Sequence, residues 1–473
     1  MYPNRLTYLF LFLALLVCNI SNAQKLWTLR ECIDTALERN IQIQQSAIQL
    51  QVADNAKDAG MAAFFPTLNA SAGYNWNFGL NIDPVTNVPS RDSRQTSNLG
   101  LQANLTLFDG LRNYNTLAQN RLDYASRIYQ LEDVKNNTSL TVASQYLQIL
   151  LNREIERIAQ MQLELTEAQI KRMTDLVNVG TQPYGSLLDL QAQKARDIQS
   201  YTLAKNNLKV SRLQLAQSIL IEDFKNFDVS GLDIPAPGAE ILALDANHIY
   251  QAALQNQPSI KSSEFSLESA QKSTATAKGS AWPTISLFGS VQTNYSNQVR
   301  ELSLTPRDPE LIGITGNGDQ VFDLGGFNLN AGEIKDFSRQ YNDNFNEFIG
   351  ISINVPIWSG LQIRNAIRNA KLNEENANLQ LTAARNTLQQ TIERAYADAE
   401  AAYESYLAAE KSVAAAEESY KYAQVRYENG AINQFDYENA LNALSRSKAQ
   451  KEQSRYDYIF RVKTLEFYLN GNL

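Results

Sequence analysis

The stretch from Asn98 to Asn113, NLGLQANLTLFDGLRN, changes its period halfway. Leu99, Leu101, Ala103, Leu105 and Leu107 alternate with Gly100, Gln102, Asn104 and Thr106, the spacing of a strand with one apolar face. At Asp109-Gly110 the alternation stops, and a helical pattern runs to Val179 without a proline. The same join returns at Phe348 to Ala366, FIGISINVPIWSGLQIRNA. Whatever the chain folds into must twice carry an amphipathic strand straight into a rod of about 100 Å, at a rise of 1.5 Å per residue.

The two joins are part of a duplication. Gly100 matches Gly350, Asn104 matches Asn354, Gly110 matches Gly360, Leu111 matches Leu361 and Gly180 matches Gly430, all 250 residues apart. Upstream, Leu37 matches Leu254 and Pro66 matches Pro283, 217 apart, so 250 − 217 = 33 residues are inserted between about Ser296 and Asn344. Repeats of this length are two copies of a large half, not short solenoid units. The halves are read as 24–221 and 245–473, with 222–244 as a Pro- and Gly-containing linker. Each predicts a short helix, a longer one ended by a proline (Pro66, Pro283), a strand, a polar loop, a second strand, a long helix (111–179, 361–429), a Gly-centred turn and a last helix (186–220, 436–469). Strands are expected at about 66–78, 97–108, 283–295 and 345–358.

Arg5, the apolar run Leu6 to Cys18 and the small residues before Gln24 predict a secretory signal peptide over 1–23. Val17 is too bulky for the residue before a lipid-modified cysteine. No other stretch approaches about 18 consecutive apolar residues, so a membrane span must be made of strands. The net charge of −8 argues against nucleic acid as a partner. One histidine, His248, leaves no room for a His-based metal site or triad, and it reads as a surface helix residue. Cys32 reads as a small apolar residue on a helix face. No cofactor, metal site or catalytic residue is expected, and no enzyme.

The strands indicate their surroundings. Leu68, Ala70, Ala72, Tyr74, Trp76 and Phe78 share one face of the first. Ile285, Leu287, Val291 and Tyr295 share one face of the third, where Phe288 breaks the alternation. Ile349, Ile351, Ile353, Val355 and Ile357 share one face of the fourth. A water-soluble sandwich also alternates. Here, however, the opposite faces are small and uncharged, aromatics gather at one strand end, and each strand has about the 9–11 residues that cross a bilayer at a tilt. Leu101, Leu105, Ile351 and Ile353 are therefore expected to face outer-membrane lipid. Four strands cannot close a barrel, which needs about eight, so the chain must oligomerise to span. In the second half Ala395, Ala402, Ala409, Ala416 and Ala423 recur every seven residues beside Ile392, Ala399, Tyr406, Val413, Tyr420 and Tyr427. That column predicts coiled-coil packing.

The start LWTLRECIDTALERN, the FPTL and WPTI junctions, the LFDG and IWSG junctions, and the turns VNVGTQPYGSLLDLQAQ and YENGAINQFDYENALNAL together resemble the outer membrane efflux protein family, the TolC-like channels. The resemblance covers both halves. It implies a mixed α and β membrane protein: four transmembrane β-strands per chain plus long coiled-coil helices, a homotrimer whose 12-strand β-barrel continues into a periplasmic α-helical barrel, and 222–244 in a belt around it. It implies an exit duct of a tripartite efflux or type I secretion system, passive, working with a periplasmic adaptor and an inner-membrane pump or secretion ATPase. Val179, Gly180, Thr181, Asn429, Gly430 and Ala431 are expected at the tip that docks the adaptor. Asp436, Glu438, Asn439 and Asp189 are expected at a periplasmic gate, with Ile432 standing where the family often has a basic residue. The competing readings are a structural or adhesive coiled-coil envelope protein and, more remotely, a periplasmic hydrolase.

Overall fold

The computed structural model describes residues 25–82, 89–91, 93–222, 224–231, 238–323 and 325–471. The expected signal peptide, the middle of the first inter-strand loop and part of the linker lie outside the described residues. The chain divides into two units: one of residues up to 54, 122–268 and 375 onward, the other of Asn55–Arg121 and Ser269–Glu374.

The second of these holds the sheet. Helix α2 (Ile41–Ala62) follows α1 (Leu29–Arg39) and ends before Pro66. Then come β1 (Thr67–Asn77) and β2 (Arg94–Phe108), and after the first long helix pair, β3 (Thr284–Ser296) and later β8 (Asn346–Asn354). These four form one antiparallel sheet in the order β8-β3-β2-β1. The pairing puts like with like. Leu105 lies against Leu287, which lies against Ile351. Ala70, Leu101 and Val291 make another row on the same face. Glu347, paired with Val291, is the acid on that face. On the other face Ser71, Gly100 and Gln292 make a row, as do Asn69, Gln102 and Ser290. Phe288, out of pattern in the sequence, sits on this polar face over Gly350, where an added Cβ would stand 2.8 Å from its ring. The strand β8 ends at Asn354, short of the expected 358, because Pro356 has no N–H to offer a ladder.

The 33-residue insertion is not the plain polar loop expected. It forms a ribbon of β4 (Arg300–Arg307) with β7 (Gly326–Ile334), an inner hairpin of β5 (Leu311–Ile314) with β6 (Gln320–Phe322), and a short helix, α7 (Phe337–Asp343). In the ribbon Leu302, Leu304 and Pro306 share a face with Phe327, opposite Glu301, Ser303 and Thr305.

The helical unit is built from α1, α3 (Arg112–Asn178), α4 (Tyr184–Ser218), α5 (Ala246–Asn256), α6 (Pro258–Gly279), α8 (Gln362–Glu428) and α9 (Gln434–Asn470), with α2, α3, α6 and α8 contributing residues to both units. Its first core joins Cys32 and Ala36 of α1 to Val142, Tyr146 and Ile149 of α3 and Leu208 and Leu215 of α4. Its second joins Ile249 and Ala253 of α5 to Ile392, Ala399 and Ala402 of α8 and Tyr458, Val462 and Leu465 of α9. The seven-residue columns of α8 are buried or half-buried along their length, as a coiled-coil seam should be. Cys32 is fully buried, and burial pushes its thiol up to about 12. His248 is exposed on α5. Among the described residues no helix is long and apolar enough to cross a membrane.

Candidate functional site

The apolar sheet face has no cover from its own unit over much of its area. Leu101 is 43% exposed, Ile351 64% and Ile353 65%, while Leu105 is half-buried between its neighbours. At about 25 cal/mol per Å² of apolar surface, a face of this kind is costly to leave in water. Among the described residues β1 and β8 are the two edges of the sheet.

The corner at the strand end is built in the backbone. Gly110 (φ 72°) and Leu111 (φ 66°) are both left-handed, as are Gly360 (φ 57°) and Leu361 (φ 68°) at the matching position. Two consecutive left-handed residues turn the chain from strand into helix. At Gly110 there is also no room for a side chain, since a Cβ would meet the Gly279 carbonyl oxygen at 2.2 Å. Asp109 then accepts the Asn113 N–H through Oδ2 at 2.9 Å and caps α3.

The two Gly-centred turns close identically. Gly180 N–H donates to Val177 O at 3.0 Å and Thr181 N–H to Leu176 O at 3.0 Å. Gly430 N–H donates to Tyr427 O at 2.9 Å and Ala431 N–H to Arg426 O at 2.7 Å. This paired pattern needs a left-handed residue after the helix, and Gly180 (φ 77°) and Gly430 (φ 69°) supply it. Val179, Thr181, Asn429 and Ala431 are exposed, with Tyr184 (62%) and Phe435 (70%) beside them.

The four expected gate residues separate. Asp436 and Asn439 at the start of α9 and Asp189 on α4 are exposed. Asp436 is not the helix cap. That role belongs to Asn433, whose Oδ1 accepts the Asp436 N–H at 2.9 Å, leaving the Asp436 carboxylate in the first turn beside the positive helix end. Glu438, expected at the gate as an added charge beside Asp436, is buried at 8% exposure, because its helix turn carries it inward beside Tyr437. Burial pushes its carboxyl up to about 7, the negative charge of Asp197 adds to this, and the Gln434 Nε2 donor at 2.7 Å and Arg196 oppose it. Its Oε2 has no hydrogen-bond partner.

Around it lies a polar layer that sequence reasoning missed. Asp197, 6% exposed, accepts from Thr166 Oγ1 and Gln193 Nε2, both at 2.7 Å. Ser445 Oγ donates to Gln162 at 2.5 Å. The signal was present: Gln162 and Thr166, like Gln193 and Asp197, stand four apart on one helix face. Nearer the turn, Tyr437 stacks on Tyr427 at 5.0 Å, and its hydroxyl lies 3.0 Å from that of Tyr420.

Strands with one apolar face, left-handed corners that turn them into 67-residue helices, and paired Gly-centred turns are the features that a comparison with known proteins has to match. The model of the outer membrane efflux protein family matches residues 32–219 and 249–471, and the chain belongs to that family. It is similar to the outer membrane efflux protein BepC of Brucella suis biovar 1 (strain 1330), 20% identical over 79% of this chain and 70% of that protein. It is also similar to the outer membrane protein TolC of Salmonella enteritidis, 21% identical over 91% of this chain and 79% of that protein. The solved Campylobacter jejuni CmeC outer membrane channel shares the fold, with a TM-score of 0.72 at 17% identity, over 94% of this chain and 86% of that one. The chain is thus an efflux channel of the outer membrane, with the fold of the TolC-like channels.

Proposed function

We propose that three copies of this chain join through the free edges of β1 and β8 into a 12-strand barrel continued by a periplasmic helical barrel, and that the assembly is a passive exit duct. The supporting observation is the four-strand sheet: two unpaired edges, one apolar face and one small polar face, each strand pair feeding a 67-residue helix. An open edge in lipid leaves backbone groups unsatisfied, and closure by copies removes it. The apolar face with Leu101, Leu105, Ile351 and Ile353 then meets lipid, and the polar face lines water. The halves 24–221 and 245–473 supply equivalent parts of the wall, with 222–244 as the belt.

The turns at Val179-Gly180-Thr181 and Asn429-Gly430-Ala431 are the periplasmic tip. They dock an adaptor that links the duct to an inner-membrane pump or secretion ATPase. The exposed Val179, Tyr184 and Phe435 offer apolar contact area for that docking. Asp436, with Asn439 and Asp189, lines the gate, and three copies of Asp436 make a carboxylate ring that favours cations. Glu438, buried behind these residues, favours the helix contact when protonated and weakens it when ionised. The duct carries out no chemistry. Bilayer recording of the purified protein tests the reading. A trimer that conducts supports it, whereas a trimer that inserts nowhere and conducts nothing favours a coiled-coil envelope scaffold.

A further inference from the structure

The short helix α7 lies on the apolar side of the sheet, at one end of it. Thr293 Oγ1 donates to the Tyr341 carbonyl oxygen at 2.7 Å, and the Ser97 hydroxyl lies 2.7 Å from the Tyr341 hydroxyl. Ser97 and Thr293 belong to the same alternating set as Leu101 and Val291, so α7 covers the apolar face and not the polar one. Gln340, 1% exposed, fixes the helix. Its Nε2 donates to Ser296 O at 3.0 Å and Lys335 O at 2.7 Å, and its Oε1 accepts the Ser296 N–H at 3.0 Å.

Aromatic rings collect at this level. Tyr74, Ser97 and Tyr295 form one row across three strands. Phe337 leans on Tyr295 at 5.0 Å and stacks on Tyr341 at 4.3 Å, and Tyr74 meets Trp76 at 4.5 Å. Phe337 is nevertheless 48% exposed and Trp76 58%. Lys335 before the helix is paired with Asp343, Arg339 within it is paired with Glu301, and Asp336 caps its start by accepting the Ser338 N–H. The exposed side is therefore aromatic with no net charge from these pairs.

The height is decisive. From Ile285, level with Ile353, to Tyr295 is ten residues of strand, about 33 Å at 3.3 Å each. At a barrel tilt of about 40° this projects to about 25 Å, the height of the apolar band of an outer-membrane barrel. Aromatic side chains favour that boundary because one part of the ring system is apolar while hydroxyl or indole N–H reaches polar groups.

We propose that α7 and the rings around it form an interfacial anchor that rests in the headgroup boundary of the outer leaflet, so that the insertion in the second half grips a lipid surface instead of standing free in water. This rests on the reading that the apolar sheet face meets lipid. The partner is a bilayer interface recognised through exposed aromatic area, not a specific charged headgroup. The ribbon β4–β7 rises from this base.

Site-directed nitroxide labels read depth directly through their accessibility to oxygen, which partitions into lipid, and to a water-soluble nickel chelate. Cys32 is the only cysteine after residue 23 and is buried, so it does not compete for label. Single cysteines at Phe337, Ser338, Ile351 and Ser303 are compared in the full-length protein reconstituted in phosphatidylcholine vesicles. Ser338, exposed and outside the ring stack, guards against disturbance by F337C. The expected result is a lipid-like signal at Ile351, a water-like signal at Ser303, and α7 labels between them, with nickel accessibility several-fold below that of Ser303. Labels at both α7 positions as nickel-accessible as Ser303, with Ile351 still lipid-like, would overturn the anchor while leaving the barrel intact. A water-like Ile351 would overturn the lipid-facing reading and the anchor with it.

Discussion

Asp436 and Glu438 stand two residues apart on α9 in opposite surroundings, one in solvent and one buried. The sequence could not separate them, because the groups that act on Glu438 across the helix contact, Asp197 and Arg196, come some 240 residues earlier. The separation has a pH consequence. With its carboxyl held at about 7 against an ordinary 4.5, Glu438 keeps its proton in the folded tip when the unfolded chain has already lost it. The folded state binds more protons between those values, so tip stability falls as pH rises from about 4.5 to 7 and stays low above. Amide-exchange protection across 434–445, corrected for intrinsic rates, should be higher at pH 5 than at pH 8, and Glu438→Gln should level the two. Equal protection in the unaltered protein would contradict it. Asp436→Asn, in contrast, should reduce cation selectivity or block by multivalent cations with little change in stability. Lost stability with unchanged selectivity would remove Asp436 from the gate. On the sheet, Leu105→Arg should cost about 2–4 kcal/mol near the bilayer midplane. Wild-type amounts of folded oligomer from that variant would argue against lipid at this face.

Elements were readable where the pattern was long. Period-two alternation located all four sheet strands, and the seven-residue column located the seam of α8, because both patterns report a face that must be buried or face lipid. The insertion itself was read from the offsets, but the strands inside it were missed for the opposite reason. Its strands are short, Pro306 interrupts one, and Leu302 and Leu304 find their partner strand only at Gly326–Ile334, across the inner hairpin. The polar layer at Asp197 escaped because a polar residue at a seam position looks like surface until a second helix arrives. The turns are a test at this scale. Valine at both Gly180 and Gly430 places a β-branched side chain in left-handed backbone, which disfavours it. The pair should abolish efflux in drug-susceptibility assays while the oligomer still assembles. Unchanged resistance would contradict docking at the tip. At the corner, Gly110→Val meets the Gly279 carbonyl as well as an unfavourable φ, so the yield of folded protein should drop sharply, whereas Gly360→Val, with open space around it, should be milder. Equal yields would show that the close approach at Gly110 does not constrain the corner.

For the whole molecule, the duplication explains why one chain carries four strands and two pairs of long helices. It does not by itself close anything. The sheet of one chain has edges that lipid does not tolerate, and the polar face has a purpose only when copies bring it around water. Family membership and fold agree with a channel of the outer membrane, and the trimeric duct proposed above would satisfy both the edges and the two faces. The most direct measurement is planar-bilayer recording on the purified, cross-linked oligomer with its mass determined in the same preparation. The account predicts a trimer that inserts and gives discrete, cation-preferring conductance steps, with the preference reduced by Asp436→Asn. A folded oligomer of another size, or a trimer that inserts without any conductance, would contradict it.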